Sequence, residues 1–351
     1  MFAILAMAAY LAWWPVPIAA VGWDAPVPLA VAVNSKLAQQ RQWPLAGETG
    51  PEHVLAAADG ALYTGVASGK VLRIGADGAV HTYADTGGRP LGLAFDGHGA
   101  LIVADAMRGL LSVDRTGTVA VLSASVAGQP IGFANAVAVA RSGKMYFSDA
   151  SQRFTPARWG GTVQAATLDV LEQSCTGRVL EYDPAARATR IVASGLCFAN
   201  GVALSADERA LFVAESARYR VWKIAVDADA IDVTKDGPAA VVLLDNLPGY
   251  PDNVTRGLDG KLWLGLAGPR NELDALARRP FLREMALRLP RALLKTPLSH
   301  GHVIAFAEDG TLREDLQDAG GAPLSTTGAT ETATGLYLHN VDGNSLGWIA
   351  R

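Results

Sequence analysis

Five residues of this 351-residue chain stand eight positions ahead of a turn that opens an apolar hairpin. They are Glu52 before Gly60, Leu91 before Gly99, Asn135 before Gly143, Asn200 before Glu208 and Asp252 before Gly260. The local strings are P-E-H-V, P-L-G-L, A-N-A-V, A-N-G-V and P-D-N-V, so each residue precedes a small or polar one and then an aliphatic one. Four of the five carry a side-chain oxygen. Repeats arranged around an axis bring one column of equivalent positions to the centre. Two carboxylates and two amides meeting there would form an oxygen-rich cage with a charge of minus two, suited to a hard divalent cation such as calcium. The same ruler laid back from Gly335 reaches Thr327, which carries no charge.

The elements that must position this column recur as hairpins. Ala61–Val66 leads to Lys70–Ile74, Ala100–Asp105 to Leu110–Val113, and Ala210–Glu215 to Arg220–Ile224. Lys144–Asp149 returns only at Gly177–Tyr182, and Lys261–Leu266 only at Gly301–Phe306, while Gly335–Asn340 pairs with Ser345–Ile349. Six units of an apolar strand, a turn and a second alternating strand are the mark of radial repetition. The fold expected is all-β, a six-bladed propeller over residues 43–351. The second long excursion, Asn271 to Thr296, reads as a helical insertion in blade five. Its apolar positions Leu273, Leu276, Phe281, Met285 and Leu289 sit among six basic residues, which suits a rim element, a lid or a membrane-surface segment.

Half of the residues are apolar and 18% are charged, so a large core is available; the net charge of −4 gives no reason to expect nucleic acid. Met1 to Gly22 holds no charged residue, and Phe2 to Trp14 is continuously apolar before Pro15 and Pro17. Residues 1–24 are therefore expected to be a single-pass N-terminal membrane anchor (a cleaved signal is the competitor), followed by a Pro-punctuated linker over 25–42 and an extracytoplasmic propeller. Cys175 and Cys197 lack metal-ligand spacing and read first as two buried thiols, with a single disulfide as the alternative.

G-P-E-H-V before the first blade, G-L-C-F-A-N-G-V-A-L-S before the fourth and G-Y-P-D-N-V before the fifth resemble the strictosidine-synthase-like proteins. That group includes the adipocyte plasma-membrane-associated type and sits in the wider paraoxonase and gluconolactonase propeller superfamily. The resemblance spans roughly residues 42 to 351, and W-P-V-P after an apolar run is similar to membrane-bound members. It implies a six-bladed propeller and, for the hydrolytic relatives, a channel calcium held by Glu52, Asn135, Asn200 and Asp252 with Asn253 adjacent. It also implies a metal-adjacent carboxylate, Asp252, as base or nucleophile in ester or lactone hydrolysis. Plant synthases of the family instead join an amine to an aldehyde with a glutamate near the last blade. Glu331 is the candidate here, although the family pattern places the acid at the position of Thr332, and a one-residue slip turns a strand side chain to the other face.

Other chemistry is sparse. His300 and His302 share one strand face without a third ligand, and His53 should point away from its neighbour Glu52. Neither G-x-S-x-G nor G-x-x-x-x-G-K occurs. The expectation is a calcium-dependent hydrolase of small esters or lactones, with a condensing enzyme or a non-catalytic membrane-tethered binding propeller as alternatives.

Overall fold

The computed structural model describes residues 2–235, 237–289, 300–318 and 325–351. Among the described residues, six sheets of four or five strands succeed one another along the chain, antiparallel but for one added strand, each ordered from an inner to an outer strand. The inner strands begin at Val54, Pro90, Ala134, Ala199, Gly249 and Thr326. Closure uses both ends of the propeller: the strand Arg41–Pro44 pairs with Ser345–Ala350 as the outermost strand of blade six. Blade three carries a fifth strand, Ile231–Asp232, which pairs in parallel with Ala188–Leu196. The core lies between blades as fully buried layers. Between blades three and four, for example, Val179, Val192 and Leu196 meet Leu211, Val213 and Trp222.

Alternation explains these layers, because every second side chain of a blade strand faces the next blade. The inner strands crowd most, since the wedge narrows towards the axis. A Cβ on Gly92 would meet Ala136 Cα at 2.6 Å and Asn135 O at 2.7 Å, and one on Gly201 would run into Val254 N and Asp252 O. The residue after the column must therefore be very small in blades two and four.

Among the described residues, four α-helices lie outside the blades: α1 (Phe2–Trp13), α2 (Pro156–Trp159), α3 (Thr162–Glu172) and α4 (Pro280–Leu287). The excursion of blade three forms α2 and α3. That of blade five forms a 3-10 turn, Asp274–Leu276, and α4, while residues 290–296 of the expected insertion lie outside the described residues. Both excursions rise on the end of the propeller where the column residues sit, and they roof it.

The N-terminus corrects the expectation of a single-pass anchor. No helix among the described residues is long and apolar enough to cross a membrane. The 12 residues of α1 reach about 18 Å, short of the ~30 Å of a bilayer core, and the chain turns away at Pro15 and Pro17. Beyond these prolines the chain is built into the roof. Ile18 is buried beside Phe133, Phe154 and Leu171, Val21 N donates to Glu172 O, and Trp23 N donates to Ala277 O. The stretch expected as a linker lies along the propeller wall, with Leu29 N on Asn246 O and Leu37 fully buried against Trp263 and Val303.

Cys175 and Cys197 are joined in a disulfide, against the first expectation of two thiols. Cys175 comes after α3 and Cys197 opens the approach to blade four, so the bond ties the roof to the strand that carries Asn200. Sequence spacing alone could not bring them together, because they sit in different structural units 22 residues apart.

Candidate active site in the propeller channel

In every blade from two to six the ladder between the first two strands is interrupted at the column residue. Register shifts fall between Pro90 and Gly92, Ala134 and Val137, Ala199 and Val202, Pro251 and Val254, and Thr326 and Gly328. A bulge bends its strand and re-aims a side chain. Here it turns five column residues out of the ladder, and Glu52 enters from the loop just before Val54. Glu52, Leu91, Asn135, Asn200 and Asp252 all reach the floor of one cavity of about 360 Å³.

The oxygens of this floor are buried and short of donors. Glu52 Oε2, Asn135 Oδ1, Asn200 Oδ1 and Asp252 Oδ1 have neither a hydrogen-bond partner nor appreciable exposure. An unsatisfied buried acceptor is costly, and four together call for a shared partner. Two of these side chains are tethered through their other polar atom. Asn253 Nδ2 donates to Glu52 Oε1 and to Glu52 O, both at 2.9 Å, and Asn200 Nδ2 donates to Ser216 Oγ at 3.2 Å. Ser216 in turn donates to Pro251 O at 2.6 Å. These bonds orient the Glu52 and Asn200 groups so that their free oxygens face inward.

Charge obeys the same logic. Burial lifts the Glu52 carboxyl to about 7, against the opposing pull of Arg89 and the donor of Asn253. Asp252 is lifted well above the ordinary carboxylate range, by burial first and the Glu52 charge second. Two carboxylates this close and this dry ionise together only with a cation between them. The donor set is all oxygen, half of it anionic, and fits calcium.

Several roles at the site did not emerge from the sequence. Thr327 occupies the column in blade six, but its Oγ1 donates to Glu52 O at 2.6 Å and holds the loop of blade one in place. A second column closes the ends of the neighbouring strands. Asp105 accepts from Arg89 N, Asp149 from Phe133 N, and Glu215 from Cys197 N. Each clamps the backbone two or three residues ahead of a column residue. Their signal was present, since apolar strands ending in V-A-D, F-S-D and V-A-E are visible in the chain.

The expected residues divide cleanly. Glu52, Asn135, Asn200 and Asp252 come together; Asn253 lies behind them as a donor to Glu52. Glu331 does not join them. It sits at the other end of its strand, accepting from Trp263 Nε1 and Leu258 N and paired with Lys261 at 3.0 Å. These donors hold it below the usual carboxylate range despite partial burial. His53 points away from Glu52, as alternation requires, and packs edge-to-face on His339. His302 Nε2 lies 3.3 Å from Asp315 Oδ1, and its ring packs edge-on against that of His300.

The cavity wall is mostly apolar, from Leu91, Phe133, Phe198, Val170 and Leu171, closed above by α3 and the blade-five excursion. One polar point fixes the roof: Tyr219 and Tyr250 both donate to Asp274 Oδ1, the second at 2.7 Å.

Known proteins resemble this chain in sequence and in fold. A family model for strictosidine synthase matches residues 135–229, and one for the strictosidine synthase-like N-terminal region matches residues 30–74. An adipocyte plasma membrane-associated protein of Danio rerio is 32% identical over 315 residues, covering 82% of this chain and 72% of its own length. The strictosidine synthase-like 7 protein of Arabidopsis thaliana is 33% identical over 73% of this chain, which spans 64% of that relative. Among solved structures, a gluconolactonase of Xanthomonas campestris aligns over 95% of this chain and 97% of its own, with a TM-score of 0.62 at 20% identity. A regucalcin of Agrobacterium tumefaciens, described as calcium-binding, aligns over 91% of this chain and 95% of its own, with a TM-score of 0.59 at 12% identity.

Proposed function

The chain belongs to the strictosidine synthase-like family, and from that premise we propose that it is a calcium-dependent hydrolase of apolar esters or lactones. The observation that carries the reading is the set of four partnerless buried oxygens on Glu52, Asn135, Asn200 and Asp252, beneath an apolar cavity. Gluconolactonase and regucalcin supply a precedent for lactone chemistry and calcium on the same fold. Glu52, Asn135, Asn200 and Asp252 would hold the ion, which, when bound, polarises a carbonyl and eases deprotonation of water.

The chain's own groups do the rest. Asn253 and Ser216 hold two of the four oxygens in their inward orientation. Leu91, Phe133 and Phe198 seat an acyl group or ring against the floor and keep bulk water from it. Asp252 is the carboxylate we assign as proton acceptor. A condensing reaction would rest on Glu331, which is engaged by Lys261 and Trp263 far from the cavity, so the hydrolytic reading is favoured.

A membrane surface is the setting this reading favours. Phe2, Ile4, Leu5 and Trp13 of α1 are exposed, as is Trp14 just after it, and Arg288 beside α4 holds this end through Trp14 O. Val163 of α3 and Phe281 of α4 are exposed on the same roof. An apolar helix with tryptophans at its end suits the interface between headgroups and acyl chains, and relatives bear the description plasma membrane-associated.

The test is hydrolysis of a panel of aryl esters and lactones, with and without chelator. Activity should need calcium, and Asp252→Asn and Glu52→Gln should each remove most of it while the fold survives. Full activity in either variant, or none in the wild type on any substrate, would overturn the reading and favour a binding propeller.

A further inference from the structure

Leu91 is the one column residue of the first five blades without a side-chain oxygen, and a charge stands behind it. Arg89, two residues earlier, is only 5% exposed. Its backbone is fixed on both sides, with Arg89 N donating to Asp105 Oδ1 at 3.1 Å and Ala106 N donating to Arg89 O at 2.9 Å. Its Nη2 donates to Gly50 O at 2.9 Å, two residues ahead of Glu52, while Nη1 is buried with no partner. Burying a guanidinium with a free N–H is expensive unless nearby negative charge offsets it. That charge comes from Glu52, whose carboxylate Arg89 stabilises in turn, and from the buried Asp105.

We infer that Arg89 is a built-in counter-charge of the cage, offsetting the Glu52 carboxylate in the cation-free protein and weakening the hold on a divalent cation. The inference rests on the cation reading above and concerns affinity rather than chemistry. With Arg89 in the wall, the ion meets one positive charge more than it would without it. Like charges in a dry environment repel strongly, so the guanidinium opposes the ion that the carboxylates attract. The cage then keeps an exchangeable ion and stays folded between occupancies.

The experiment is calorimetric titration of the full chain with calcium chloride, comparing wild type, Arg89→Gln and Arg89→Lys. Glutamine keeps an amide donor for Gly50 O and removes the charge; lysine keeps the charge. Arg89→Gln should bind calcium at least tenfold more tightly and melt lower than wild type in chelator, with the gap closing in calcium. Arg89→Lys should bind within threefold of wild type. Equal or weaker binding by Arg89→Gln overturns the inference and makes Arg89 a brace for the Gly50–Glu52 loop. A glutamine variant that folds only with calcium supports the inference, and one that folds under neither condition overturns it. Absence of calcium binding in wild type and variant alike overturns the cation reading too, whereas normal wild-type binding with an unchanged variant overturns this inference alone.

Discussion

At the scale of single residues, the site is a problem of charge without water. Glu52 and Asp252 are both lifted by burial, and in the absence of a cation they oppose one another. A carboxyl whose folded pKa is raised contributes stability that is present below its unfolded value and lost as pH rises through its folded value. Cation-free protein should therefore weaken between about pH 4.5 and 7. Removing one of the two charges should relieve this. In chelator at pH 8, Asp252→Asn should melt above wild type, with a gain on the order of 1 kcal/mol; in calcium the order should reverse. A variant less stable than wild type in both conditions would mean that the pair is not strained. The histidines act in the opposite sense. Burial lowers His53 from 6.5 to about 4, so the folded state holds fewer protons than the unfolded chain between those values. Stability from this group is complete above pH 6.5 and is lost as pH falls towards 4, by roughly 3 kcal/mol at full burial. Denaturant midpoints measured across that window should fall less steeply for His53→Gln than for wild type.

At the scale of elements, the column works because inner strands approach closely and bulge at the same point. The glycine in A-N-G-V is there because the backbone of blade five occupies the space a Cβ would need. Gly201→Ala should force the inner strands of blades four and five apart. Overpacking of this kind typically costs about 1–3 kcal/mol, and the shift should also blunt the rise in melting temperature expected with calcium, since Asn200 and Asp252 stand on the two strands. Unchanged denaturation and an unchanged calcium response would show that the strands yield without disturbing the site. The regular eight-residue spacing was readable because hairpin geometry sets it. The bulges were not, since they depend on pairing between strands.

At the scale of the whole molecule, the N-terminal chain does three things in succession. It presents an apolar helix, packs Val16, Ile18 and Ala20 into the roof, and then supplies the outer strand of blade six. These roles separate under truncation. Removing residues 1–14 takes away α1, most of which is exposed, and should leave the fold and the cavity intact while abolishing binding to anionic vesicles. Removing residues 1–24 also takes Ile18 and the donors to Glu172, and should loosen the roof and lower the melting temperature. Sedimentation with vesicles and thermal melts would separate the two. Persistent vesicle binding by the shorter truncation would move the contact from α1 to the excursion of blade five.

The number of blades, the all-β class and the four oxygens of the cage were all readable along the chain. Each comes from a periodicity that a strand and a turn impose locally, and a repeated local rule becomes a ring whatever the loops do. Packing alone settled what stands behind the cage and above it. Arg89, Ser216, Thr327 and Asp105 act through partners from other strands or blades, at separations that no window along the chain relates. The same is true of the Cys175–Cys197 bond and of the apolar N-terminus. Local hydropathy described that segment as a membrane span, but two prolines end the helix and the roof offers Ile18 a dry surface. Burial belongs to the assembled molecule, and it decides which residues carry charge, which are satisfied and which face the site.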